Sequence, residues 1–156
     1  MISKLIAIVR SEDGTSIVEM GFVAPILSLL LIGMVDMSRG YSAKLQLEQI
    51  AQRTVEKVQN GDYVESNDYK TALQSEAATA AGVATSAVTV SSWMECNNNG
   101  TKLAFTASCA DTSHQYARYV EISIDKKYTP MFKTKFAGAA ADGTYTLKGK
   151  AGVRVQ

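Results

Sequence analysis

An enzyme of this size would need a nucleophile beside a base, or a set of metal ligands. The sequence offers neither in a recognisable arrangement. His114 is the single histidine among 156 residues, so a histidine-based triad or zinc centre lacks its other members. Serine and threonine are abundant, but none sits in a nucleophile motif. Glu65, Asp68, Glu95 and Asp111 are scattered through expected loops and strands. Cys96 and Cys109 are the two thiols, and with no CxxC and no further pair they argue against zinc or redox chemistry. The expectation is therefore a protein that is not an enzyme, with no metal, no cofactor and no small-molecule substrate. The residue that demands a chemical account is Glu19, an acid placed inside an apolar run.

That run extends from Ile17 to Val35 and carries no other charge until Asp36. About twenty apolar residues, rising 1.5 Å each in a helix, cross a hydrocarbon core. A secretory signal would be shorter and end on small residues, which Met34-Val35-Asp36-Met37 does not supply. A plain membrane anchor explains the length but not Glu19. A carboxylate at mid-bilayer costs about 2.5–3.5 kcal/mol on insertion scales, and less near the interface. In Glu19's favour, it lies near the helix start, where the dipole favours an acid and the side chain can reach headgroups. Lys4 and Arg10 before the run are balanced by Arg39 and Lys44 after it, so flanking charge does not set the orientation.

The remaining chain must supply a soluble head. From Tyr41, the residues Leu47, Ile50, Ala51, Thr54 and Val58 recur at helical spacing, and Asn60-Gly61 is a stop signal. One helix from about Thr15 to Gln59 would be about 65 Å long, with Pro25 expected to kink it. Gly21 and Gly33 are small enough for close helix packing in a membrane, though not at strict GxxxG spacing. A second helix, capped by Ser66 or Asn67 and ended by Gly82, places Tyr69, Leu73, Ala77 and Ala80 on one face. Beyond Val83 the pattern alternates. Strands are expected from Val88 to near Cys96, from Lys102 to Cys109, from Arg118 to Lys126, and from Tyr145 to Val155, with Asn97-Asn98-Asn99-Gly100 as a turn and Pro130 as a break. Helices followed by four strands read as an α+β head with an antiparallel sheet on the long helix.

Charge is close to balanced, 16 basic against 15 acidic side chains, which argues against a nucleic-acid partner. The last part of the chain is locally basic: Lys126, Lys127, Lys133, Lys135, Lys148, Lys150 and Arg154 face only Asp142. A lysine-edged sheet and a surface for an anionic partner both fit.

Gly14, Thr15-Ser16-Ile17-Val18 and Glu19, behind a short segment with Lys4 and Arg10, resemble the processing site of type IV prepilins. The resemblance implies that a prepilin peptidase cuts after Gly14, freeing an ammonium on Thr15 and making Glu19 the fifth residue of the mature chain. Glu19 could then pair with Thr15 of a neighbouring subunit as helices bundle, offsetting the burial cost and fixing axial register. The apolar run with Pro25, the transition Val35-Asp36-Met37-Ser38-Arg39-Gly40 and the continuation through Ile50, Ala51 and Arg53 resemble TadE-like pseudopilins, minor pilins of the tight-adherence (Tad/Flp) pilus. Met20 departs from the tyrosine often found after the glutamate in that system.

This resemblance implies a leader at 1–14, a transmembrane helix at 15–38, its amphipathic continuation at 39–60 and a periplasmic α+β head at 61–156. It further implies an inner-membrane protein that helps to assemble an adhesive pilus, with roles in surface adhesion and biofilm formation. The partners implied are the prepilin peptidase, sister pseudopilins, the major pilin, the assembly platform and membrane lipid. In a cytosolic chain Cys96 and Cys109 would read as free thiols. In an exported head they are expected to form a disulfide worth about 3 kcal/mol. The alternative is a binding head on a plain anchor.

Overall fold

The computed structural model describes residues 13–61, 63–97, 100–109, 115–131 and 139–155. Helix α1 runs Asp13–Asn60, with Pro25 inside it. Tertiary contacts divide the chain after Arg39. In the part before that point, one turn carries an additional bond, from the Ser28 hydroxyl to the Ala24 carbonyl at 2.8 Å.

From Gly40 onward the same helix forms the spine of the head. Leu47, Ala51, Thr54, Val55 and Val58 are buried and Ile50 is partly so. This is the expected face plus Val55. The buried Thr54 hydroxyl donates to the Ile50 carbonyl at 2.9 Å, so it leaves no unmet donor in the core. Helix α2, Asn67–Ala81, begins where Ser66 adopts an extended conformation and its side chain accepts from the Tyr69 N–H. It ends at Gly82 in the left-handed region, with the Gly82 and Val83 amides returning to the Thr79 and Ala78 carbonyls. Its buried residues are Leu73, Ala77, Ala78 and Ala81. Ala80, expected on that face, is exposed: from Leu73 and Ala77, the next residue four places on is Ala81.

A short 3-10 turn, Thr85–Ala87, leads into an antiparallel sheet ordered β1-β2-β3, namely Val88–Cys96, Tyr116–Tyr128 and Tyr145–Arg154. Val88 pairs with Ile124, and Tyr128 with Tyr145. Val120, Ile122 and Ile124 point inward and are fully buried. They meet α1 and α2 in two adjoining clusters, one around Leu47, Ala51 and Ala77 and one around Val58 and Leu73. Gly149 permits the closest approach of sheet to helix: a Cβ built on it would lie 2.4 Å from the Leu47 carbonyl carbon.

Among the described residues the sheet has three strands rather than four. In the segment expected to pair from Lys102 to Cys109, only Leu103 bridges, to Met94. The chain then turns, with the Ala107 amide bonded to the Ala104 carbonyl. The turn brings the Phe105 ring, partly buried, against Tyr63, 5.1 Å between centroids. β2 stops two residues before the buried Pro130, as a residue without an N–H requires.

Candidate functional site

The first candidate is the N-terminal stretch of α1. The backbone of Gly14 and Thr15 lies in its opening turn. Every large apolar side chain from Ile17 to Met37 is exposed except the partly covered Ile32. The richest 18-residue window has a mean hydropathy of 2.2 and no buried share. An apolar surface this continuous marks contact with lipid or protein, because water does not favour it. Glu19 is exposed on this surface, and a Cβ added to Gly21 or Gly33 would meet nothing within 4 Å. By length and composition this is a helix that can cross a membrane, and it fits a single-pass membrane protein.

The second candidate lies in the head, where the connection between α1 and α2 meets the sheet. The Tyr63 hydroxyl donates to Glu65 Oε2 at 2.7 Å, and the Lys70 ammonium donates to Glu65 Oε1. Burial pulls the Glu65 carboxyl upward, but hydrogen bonds from Lys70, Tyr63 and Ser92 overcome it and hold the group below the usual carboxylate range. Burial pushes the Tyr63 phenol well above its ordinary value; Ser92 opposes this and Glu65 adds to it. Tyr63 also meets Tyr69 edge-on, at 5.4 Å and 84°. Beside this knot lies an open cleft of about 380 Å³, lined in part by Gln59, Tyr63, Phe105, Arg118 and Arg154. The Arg118 Nε donates to the Phe105 carbonyl at 3.0 Å. The contacts at Glu65 tie a loop to a helix and a strand. They bring no nucleophile to a base. No group of three histidine, cysteine or acidic side chains able to hold a metal occurs among the described residues.

Of the carboxylates singled out in the sequence, Glu65 belongs to this knot, Asp68 stands in the first turn of α2, and Glu95 accepts from the Trp93 indole N–H at 2.9 Å. Asp111 and His114 lie outside the described residues. Cys96 and Cys109 form a disulfide with a Cα–Cα distance of 5.9 Å, closing β1 against the segment that leads toward β2. Two lysines of β3 are answered by acids that sequence order hid, and Lys126 of β2 by a backbone carbonyl. Lys150 meets Glu121 at 2.8 Å, Lys148 meets Asp125 at 3.6 Å, and Lys126 donates to the Ala81 carbonyl at 2.7 Å. Lys133 and Lys135 lie outside the described residues. On the same outer face Trp93 stacks on Tyr119 at 5.6 Å and 22°, with Lys102 3.7 Å from the Trp93 ring centroid.

Residues 14–55 match the family model described as TadE-like protein. This segment is similar to the TadE-like family. No curated protein and no solved structure matches the chain. The match begins at Gly14 and covers the apolar run, Glu19, Gly21, Pro25 and Gly33. It continues through the core positions Leu47, Ala51, Thr54 and Val55. The TadE-like family is a pilin-type structural family of Tad pilus systems.

Proposed function

We propose that this chain is a membrane-anchored pseudopilin that takes part in assembling a tight-adherence pilus, and through the pilus in surface adhesion and biofilm formation. One observation carries the reading: within the TadE-like segment, an exposed apolar helix holds a single acid, Glu19, five residues after Gly14. In this reading a prepilin peptidase removes residues 1–14 and leaves an ammonium on Thr15. The Glu19 carboxylate then pairs with Thr15 of a neighbouring pseudopilin or major pilin as the helices leave lipid. The attraction is strong there because water is excluded, and it sets the axial position of one helix against the next. Small residues at Gly21 and Gly33, with Pro25 between them, allow backbones to approach closely. The N-terminus faces the cytoplasm, and the head, with its disulfide, faces the periplasm from the inner membrane, where the assembly platform engages it.

Mass spectrometry of the protein taken from pilus-forming cells tests the reading. Thr15 is expected as the first residue, and a chain that retains its first fourteen residues in working fibres would remove the processing step. A Glu19→Ala chain should insert at least as well as the natural one and fail to support pilus formation. If a head on an unrelated anchor, replacing everything before Asp36, restores the fibres, the reading of a binding head on a plain anchor takes its place.

A further inference from the structure

One end of the head differs in composition from the other. Tyr128 closes β2, and its ring lies beside α1, where a Cβ placed on Gly40 would be 3.4 Å from Tyr128 Cε1. Tyr145, which opens β3, is its register partner. Tyr41 follows Gly40 in the helix and is 65% exposed, and Met131, just beyond the end of β2, is 59% exposed. Lys127 and Lys44 stand at the same end with their side chains open to solvent. The cations here have acids to hand, since Glu48 meets Lys44 and Asp142 stands close to Lys127. Net charge is therefore not the distinguishing feature. The distinguishing feature is a set of tyrosines and a methionine beside lysine stems. At the far end of β2 the aromatic pair is used differently: Trp93 and Tyr119 cover one another, and Lys102 covers the indole.

Chain connectivity fixes what lies beside the tyrosine-rich end. Val35 is the last residue of the apolar run, and five residues later the chain is at Gly40. Five residues reach at most about 18 Å even when fully extended. Whatever angle the head adopts, the corner at Gly40 and Tyr128 therefore stays within that reach of the point where the chain leaves lipid. Tyrosine, with an apolar ring and a polar tip, favours the headgroup level of a bilayer, and lysine stems lie along apolar surface while their ammonium groups reach water and phosphate.

We propose that this end of the head, carrying Tyr41, Tyr128, Met131, Tyr145 and Lys127, is a docking surface for the lipid headgroup layer. The proposal depends on the apolar run being a membrane span. Docking holds this end of the head against the bilayer surface.

The test uses the full-length chain in phosphatidylcholine vesicles whose acyl chains carry bromine near the headgroup, which quenches tryptophan emission on contact. Trp93 is the chain's single tryptophan. The natural protein reports on the far end, while Phe22→Trp and Met131→Trp, each combined with Trp93→Phe, report on the apolar run and on the proposed surface. Emission from the Phe22→Trp and Met131→Trp chains should fall to a similar extent, and emission from the natural chain should stay unchanged. Quenching of Phe22→Trp without quenching of Met131→Trp overturns the docking surface and leaves the membrane span standing. If Phe22→Trp also escapes quenching, the span itself is wrong and the docking surface falls with it. Tyr41→Trp, at an exposed helical position, serves as a second probe should Met131→Trp fail to form the Cys96–Cys109 disulfide on a non-reducing gel.

Discussion

At the scale of single residues, the head depends on two contacts that differ in kind. Gly149 is required by distance alone, since a methyl group there would overlap the Leu47 backbone, which cannot rotate away. Gly149→Ala is expected to cost on the order of 1–3 kcal/mol or more through overpacking, read as a lower denaturation midpoint followed by Trp93 fluorescence. Glu65 depends on protonation. Its carboxyl is held below the value of 4.5 expected for the unfolded chain, so its contribution is present above that value and is lost as pH falls through the lower folded value. Glu65→Gln should flatten the acid limb of a stability–pH profile and leave its slope near neutrality unchanged. An acid limb identical to that of the natural chain would show that Glu65 is not the group responsible.

At the scale of elements, caps and clasps set where each piece ends. Ser66→Ala removes the cap of α2 and should lower stability by about 1 kcal/mol. Cys96→Ser with Cys109→Ser should lower it by about 3 kcal/mol in the chain-entropy view of a loop this long, and reductant should produce the same shift in the natural protein but none in the variant. The elements with a strong period were legible in the sequence: the Leu47–Val58 face of α1, both ends of α2, and the inward rows Val120-Ile122-Ile124 and Leu147-Ala151-Val153. What escaped notice depended on partners distant in sequence. The alternation at Leu103, Phe105 and Ala107 reads as a strand, whereas the chain turns after Leu103 and Phe105 meets the Tyr63 ring, a partner about forty residues away in sequence. The lysines of β3 fit either a lysine-edged sheet or an anionic-partner surface on sequence alone, because Glu121 and Asp125 precede Lys150 and Lys148 by 29 and 23 residues and become their neighbours only through the register of β2 and β3. Likewise, nothing local joins Glu65 to Ser92. The acid at Glu19 was legible because an isolated charge in an apolar run stands out without any partner.

At the scale of the whole molecule, one helix carries an apolar surface before Arg39 and a buried core face after Gly40. If the first part lies in a bilayer, the protein should stay with the membrane through an alkaline wash and be released by detergent. Replacing Leu29 and Leu30 by arginine should weaken insertion by about 2.5–3.5 kcal/mol for each substitution on the translocon scale, read as the fraction inserted in a microsomal assay. The clasp between Cys96 and Cys109 has a consequence for following the chain through a cell. Closing it removes a pair of hydrogens, and the proposed cut removes the leader, so a single intact weighing records both events. A precursor still in a reducing compartment should be heavier on both counts. Molecules that had lost only one of the two increments would reveal which happens first, oxidation or trimming.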